Sequence, residues 1–437
     1  MFHYYLRLAW LSIRKTPVIS SLMVLAIAVG VGLAMTSLSV NHMMSSNPIA
    51  DKSQQLFAVQ LQSQAEDTGA GEEDDLLLQQ TYQDVMNLRR SQVPLRQTAM
   101  FKTGFAVQSD NPDIAPQLRS ARATDRDFFA MFEVPFAFGG AWDKGVDENG
   151  ERVVVIGAAL NQELFGGGDN VGKEIFLNQK PFRILGILRE WNPQPNYYDL
   201  NNGAFRKPEQ LFLPFSLTPV DELSSWGNTR GWKPENIVSF EDFLQSELHW
   251  LQYWVELDSE QQHADYEQFL QGYIQQQKQL GRFEQADAKA DLKDVDEWLA
   301  YNAVVSDDSN VLVGLSFLFL AVCLVNTIGL LLSKFLRRAP EVGVRRALGA
   351  TRGQVFIQHL VEVSLLGVGG GVLGIVLAQA GLWLVRTTSG RYQDLAQMDL
   401  AMLLAAPTIA IAASIIAGLY PAWKICRTQP SLYLKTQ

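Results

Sequence analysis

The chain has 437 residues, 47% of them hydrophobic and 19% charged, with a formal net charge of -10 and a mean hydropathy of zero. At about 100 to 200 residues per domain this length allows two to four folding units. The composition excludes both a disordered chain and one made wholly of membrane helices.

The charge is unevenly distributed. Val18–Val40, Val311–Ser333, Val363–Val385 and Leu400–Trp423 contain no Asp, Glu, Lys or Arg. At 1.5 Å per residue each makes a helix of about 35 Å, enough to cross a hydrocarbon core of about 30 Å. Four spans follow: 18–40, 311–333, 355–385 and 400–423. Arg7, Arg14 and Lys15 precede the first span as they would a signal peptide. The apolar run is too long for a signal h-region of about 7 to 15 residues, so the span is expected to stay as an anchor.

Orientation follows from the flanks. Residues 1–17, 334–352 and 424–437 together carry twelve Lys or Arg and one acid, Glu341. The positive-inside rule puts all three in the cytoplasm, together with both chain ends. The short loop 386–399 is balanced, and residues 41–310 carry a net charge of -20; both are expected outside. The only cysteines are Cys323 and Cys426, so no disulfide framework holds the outer domain, and a pair between these two is not expected.

Within the outer domain, Gln62–Asp75, with Gly69, Gly71 and its acids, reads as a loop or the approach to one. Gln79–Arg90 has near-helical apolar spacing, whereas Gln117–Ala123 and Leu251–Leu257 alternate as strands do. Val153–Ile156 and Phe182–Leu188 are β-branched runs that suit buried strands, and Asn178-Gln179-Lys180-Pro181 suggests a hairpin turn. Trp191–Trp232, with five prolines, reads as loop and as a projecting edge. Ser259–Leu280 is expected to be helical, with Tyr266, Phe269, Leu270 and Tyr273 on one face. The domain as a whole reads as α/β.

Two features suggest catalysis and fail on inspection. Gly167–Glu174 nearly matches a phosphate-binding loop, but Glu174 stands where Mg²⁺ needs a hydroxyl, and Ile175-Phe176-Leu177 reads as a strand where a helix should follow. The histidines His3, His42, His249, His263 and His359 have no metal-ligand spacing, and no serine lies in a nucleophile elbow. The acidic outer domain would repel nucleic acid. Glu362, at a span boundary one turn after His359, is expected to snorkel to the membrane face.

The segment between the second and third spans is the most specific. Pro340 suits the first turn of a short helix, Glu341 its positive end, Arg345 and Arg346 its negative end and Gly349 its stop. Val342, Val344, Ala347 and Leu348 are available to pack. Topology-setting charge accounts for the arginines, but not for the order Glu341-Val342-Gly343-Val344-Arg345-Arg346-Ala347-Leu348-Gly349-Ala350.

This order resembles the cytoplasmic loop of the MacB/FtsX-like family of ABC transporter permeases. Leu6-Arg7-Leu8-Ala9-Trp10 resembles the amphipathic helix (1–17) that leads into the family's first span. Arg122–Phe129 and Asn170-Val171-Gly172-Lys173 resemble its outer-domain signatures, and Gly418–Lys424 followed by Pro430 its ending. Gly367 with Gly371, and Gly370 with Gly374, fit both the family and a close helix contact.

The resemblance implies a fold of four transmembrane helices, one N-terminal and three C-terminal, with a large α/β extracytoplasmic domain over 41–310. Of that domain, about 41–125 and 247–305 would form a porter-like part and about 126–246 an inserted lobe. The implied function is that of a non-catalytic, multi-pass permease of the inner (plasma) membrane. It would dimerise with an identical or paralogous permease and dock a separate ABC ATPase through the coupling loop 334–354. ATP and Mg would be bound by that ATPase, and this chain would need no cofactor or metal of its own. The expected coupling residues are Arg337, Arg338, Glu341, Gly343, Arg345, Arg346, Leu348, Gly349 and Ala350, with Gly367, Gly370, Gly371 and Gly374 in helix packing. The implied action is export of a peptide, toxin or macrolide-like substrate by mechanotransmission, through a periplasmic adaptor and outer-membrane duct where these are present. Lipoprotein extraction and activation of an outer cell-wall hydrolase are the alternatives, and a sensor or structural membrane protein without an ATPase is a third.

Overall fold

The computed structural model describes residues 2–64, 76–109, 115–388 and 400–427. Gly69 and Gly71, residues 389–399 of the short loop, and Pro430 lie outside these. The chain divides into two compact units, one formed by Met1–Ser45 with Val305–Gln437 and the other by Ser46–Val304.

In chain order, α1 (Phe2–Lys15) and α2 (Pro17–Ser45) precede β1 (Leu56–Leu61), α3 (Tyr82–Leu88), β2 (Arg96–Gln108) and β3 (Gln117–Thr124). Next come α4 (Asp127–Met131), β4 (Phe136–Gly139), α5 (Lys144–Asn149), β5 (Val153–Ile156), α6 (Ala158–Phe165), β6 (Glu174–Leu177) and β7 (Lys180–Leu188). The α/β unit closes with β8 (Leu211–Pro214), α7 (Leu217–Asp221), α8 (Phe240–Gln245), β9 (Gln252–Glu256), α9 (Glu260–Gln279), β10 (Ala290–Lys293) and α10 (Val295–Tyr301). The helical unit resumes with α11 (Asp307–Arg337), α12 (Ala339–Ala347), α13 (Arg352–Thr388) and α14 (Leu400–Cys426).

In the helical unit, α2, α11, α13 and α14 are each long and apolar enough to cross a membrane. They run past the uncharged stretches because polar caps continue the backbone ladder: Ser306, for instance, accepts from Ser309 N–H at the start of α11. Glycines on α13 set its packing on two sides. A Cβ at Gly370 would lie 2.6 Å from Ile27 Cγ2, and one at Gly374 3.2 Å from Val31 Cγ1, both on α2. Gly371 abuts Pro407 Cα at 2.9 Å, and Gly367 meets Ser414, both on α14. Only a residue without a side chain allows backbones this close. Cys323 and Cys426 are both free thiols.

The α/β unit is built on one ten-stranded sheet of order β10-β1-β9-β2-β3-β8-β5-β7-β4, with β6 pairing β2 and β7. Pairing is antiparallel except for β3–β8 and β5–β7. Successive residues feed cores on opposite faces, as the period of two requires. Val59, Phe101, Val154 and Ile156 join one core with Trp250, and Ala58, Met100, Val153 and Val155 join the other with Phe128 and Trp254. All four residues of β5 are buried, which explains its unbroken apolar run.

Several local expectations change. Trp191–Trp232 is not a projecting edge: it carries β8 inside the sheet and buries Tyr197, Tyr198 and Phe212. Its prolines include the last residue of β8 and the third of α7, positions that interrupt no interior pairing. The helix expected over Gln79–Arg90 is shorter, because Gln80 bridges Leu251 and Thr81 caps α3 by accepting from Asp84 N–H. The hairpin turn is Asn178-Gln179 alone, with φ of 48° and 66°, while Lys180 pairs Leu177; two positive φ values suit the strand twist. Segments 41–125 and 247–305 supply β1–β3, β9 and β10, and 126–246 supplies β4–β8. The two groups are not separate layers: they share one sheet, joined where β3 lies beside β8 and where β2 pairs β6.

Candidate coupling site at the basic end of the bundle

α12 starts directly after α11, with Arg338 as the only residue between them. Pro340 occupies the first turn, where its missing N–H costs nothing, and Glu341 is the first-turn acid. The helix stops at Gly349, whose φ is +105°. There Gly349 N–H donates to Arg346 C=O at 3.2 Å and Ala350 N–H to Arg345 C=O at 3.1 Å. That is the paired closure of a Schellman end.

The helix divides into an inner and an outer face. Ala339, Val342 and Gly343 are buried, whereas Glu341, Val344, Arg345 and Gly349 are exposed and Leu348 is 83% exposed. Arg345 Nη1 donates to Gln358 Oε1 at 3.1 Å, and Arg346 Nη1 to Cys426 C=O at 3.3 Å. Ala350 packs partly buried against the bundle core. Among the described residues, Arg337 and Glu341 have no ion-pair partner. A cleft of about 160 Å³ beside the helix is lined by Ser12, Lys15, Arg338, Glu341, Arg345 and His359.

Behind α12 lies a cluster that sequence reasoning missed. Lys334 Nζ is 2.7 Å from Glu362 Oε1, with side-chain exposures of 0% and 2%, and it donates to Ser20 Oγ at 3.0 Å. Ser12 Oγ donates to Glu362 Oε1 and accepts from Arg338 Nη1. Arg338 Nη2 donates to Ser12 C=O at 3.3 Å, and Arg338 Nη1 stands 4.0 Å from Glu362 Oε2. The expected snorkelling of Glu362 is therefore overturned: its charge is met inside the bundle, so the side chain has no need to reach water. His359, one turn earlier, is also buried, edge-on to Phe335 at 4.3 Å. One signal for the cluster was present, since Glu362 is the only acid on α13 and Lys334 follows the uncharged stretch of α11 by one residue.

Among its described residues the α/β unit shows no comparable exposed chemistry. Gly167, Gly168 and Gly172 have positive φ, Lys173 Nζ bonds Asn170 Oδ1 at 2.7 Å and strand β6 follows, so this segment is a turn closed on itself. Burial pushes the His249 pKa down to about 4, and its neutral ring bonds Ser63 Oγ at 2.7 Å. Among the described residues no group of His, Cys, Asp or Glu could hold a metal ion.

Residues 20–271 match the MacB-like periplasmic core domain, and residues 313–430 match the FtsX-like permease C-terminal region. An uncharacterized ABC transporter permease, YvrN of Bacillus subtilis, is 24% identical over 70% of this chain and 67% of its own length. The pyoverdine export ATP-binding/permease protein PvdT of Pseudomonas aeruginosa is 22% identical, and the match covers 71% of this chain but 41% of that protein. The macrolide export ATP-binding/permease protein MacB of Syntrophobacter fumaroxidans is also 22% identical, over 70% and 46%. The chain thus spans less than half the length of these two longer relatives. Among solved structures, the periplasmic region of MacB from Actinobacillus actinomycetemcomitans aligns with 58% of this chain at 11% identity and a TM-score of 0.36. By its two matched regions, which the four apolar helices and the α/β unit accommodate, the chain belongs to the MacB/FtsX-like family of ABC transporter permeases.

Proposed function

We propose that this permease docks an ABC ATPase, expected on a separate chain, through α12 and relays nucleotide-driven movement along its helices to the α/β domain. The observation that carries this reading is the two-sided build of α12. Ala339, Val342 and Gly343 seat the helix, while Glu341, Val344, Arg345 and Leu348 face outward at the end of the bundle where the basic flanks gather. An outward surface of mixed charge around an exposed leucine suits a protein groove better than a lipid surface. In this reading both chain ends are cytoplasmic, and residues 41–310, with their net charge of -20, stand outside the inner membrane.

The described spans line no polar path. Their one fully buried charge pair, Lys334–Glu362, neutralises itself. Substrate would therefore be moved by the α/β domain, in a dimer with an identical or paralogous permease. Export is favoured by the similarity to pyoverdine export and macrolide export proteins, and a peptide, toxin or macrolide-like compound is the substrate class proposed, with an adaptor and outer duct as further partners. Reversing charge with Arg345→Glu and Arg346→Glu is expected to abolish co-purification of the ATPase and permease-dependent ATP hydrolysis. Retention of both sinks the docking assignment.

A further inference from the structure

The buried cluster behind α12 has no role in docking as such, because none of its carboxylate or ammonium atoms reaches the outer face of the helix. It ties five segments together: Ser12 of α1, Ser20 of α2, Lys334 near the end of α11, Arg338 between α11 and α12, and Glu362 on α13. Glu362 lies ten residues into α13, about 15 Å along its axis. Arg338 is the entire covalent link between α11 and α12, and its own side chain enters the cluster.

A charge pair in this position gains little stability as such. Replacing a buried ion pair by apolar side chains of similar volume is often neutral or stabilising, whereas a pair can specify one arrangement among several. The geometry here holds two partners for one carboxylate. Lys334 is in contact with Oε1 at 2.7 Å, while Arg338 waits 4.0 Å from Oε2, beyond hydrogen-bond reach. Ser12 sits between them, donating to Glu362 and accepting from Arg338. Rotation of α12 about Arg338 must move that guanidinium, and a displacement of about 1 Å brings it into direct contact with Glu362.

We infer that Glu362, Lys334, Arg338 and Ser12 are positioning residues of the coupling mechanism: Glu362 pairs with Lys334 in the arrangement seen here and exchanges to Arg338 when the docked ATPase displaces α12. The inference rests on the docking role proposed for α12. Arg338 moves with α12, Lys334 with α11 and Glu362 with α13, so the exchange converts a swing of the short helix into a shift of α11 against α13. This is a bistable contact of the kind that transmits small displacements.

The test uses the full chain with its ATPase in lipid nanodiscs. Spin labels at Leu336→Cys on α11 and Leu384→Cys on α13, both exposed and outside the docking face, are placed in a background with Cys323 and Cys426 replaced by Ala. The readouts are ATPase retention, melting temperature and the ATP-dependent change in label distance. The double variant Lys334→Met with Glu362→Met is expected to melt at or above the parent and to retain the ATPase, yet to lose the distance change. Glu362→Gln, which keeps the shape and removes the charge, is expected to lose it too. The swap Lys334→Glu with Glu362→Lys keeps a buried pair but sets Lys beside Arg338; it is expected to retain the ATPase without restoring the change. A full distance change in the double variant, in Glu362→Gln or in the swap overturns the exchange while leaving docking intact. A parent that holds no ATPase or shows no ATP-dependent change overturns the docking reading and this inference with it.

Discussion

Arg122 offers the sharpest quantitative test of how the α/β domain is held together. It lies on β3 with a side chain of 0% exposure and pairs both Asp199 Oδ2 at 2.5 Å and Glu209 Oε1 at 2.9 Å, which are 1% and 5% exposed. Both partners come from the segment that leads into β8, so this ionic contact lies where the two groups of strands meet. Burial opposes the guanidinium charge, but Glu209 and Asp199 outweigh it and raise its pKa; burial likewise raises that of Asp199. Arg122→Met removes the cation and leaves two buried carboxylates, a defect that costs about 3 to 5 kcal/mol. Protonation caps the cost. Neutralising a carboxyl of ordinary pKa near 3.9 requires about 4 kcal/mol at pH 7 and about 1.5 kcal/mol at pH 5. The variant's carboxylates bind protons more tightly folded than unfolded, so its deficit is expected to shrink as pH falls, from about 4 to about 1.5 kcal/mol. Denaturant unfolding of the detergent-solubilised protein, followed by tryptophan fluorescence at the two pH values, measures both numbers. A deficit below about 1 kcal/mol at pH 7, or one independent of pH, refutes the assignment of an uncompensated buried charge.

A second pH effect arises at Asp147, whose carboxyl is pushed up to about 7 by burial and by nearby Asp125. Its folded pKa exceeds the unfolded value, so its contribution to stability is complete below about pH 4 and is lost as pH rises through 7. Asp147→Asn is expected to flatten that slope and to gain on the order of 2 kcal/mol at pH 8, read by unfolding across the range. In the bundle, Gly370→Ala forces a methyl against Ile27 and should cost about 1 to 3 kcal/mol. Gly369→Ala, whose Cβ meets Val24 only at 3.7 Å, should be neutral or stabilising; melting temperatures in detergent separate the two. Gly349→Ala strains the end of α12 by about 1 to 3 kcal/mol and should weaken ATPase binding several-fold in a titration. Gly353→Ala, in open space, should leave binding unchanged.

The legible features were those written in local pattern. Four uncharged runs read as spans because the bilayer demands about 20 apolar residues in sequence, and β5 read as a buried strand because all four of its side chains are apolar. The segment 334–354 was legible as a helix with a start and a stop because capping is set by neighbouring residues, Pro340 and Gly349 above all. The region 191–232 was illegible for the converse reason: β8 has four residues, too few for a period, and its place between β3 and β5 depends on partners far along the chain.

Glu362 shows the same boundary within the candidate site. A lone acid in an apolar run has two acceptable solutions, reaching water or finding a cation, and the residues around it are compatible with either. The choice fell to Lys334, 28 positions earlier on another helix, because α11 and α13 place the two side chains 2.7 Å apart. The four spans, the family and the start and stop of α12 follow from order along the chain, since hydrophobic length and caps are properties of neighbours. Which face of α12 points outward does not, because of Val342, Val344, Ala347 and Leu348 only Val342 is buried. The ion cluster, the helix partner of each α13 glycine and the Arg122 contact are decided by packing, since each joins groups that only the folded chain brings together.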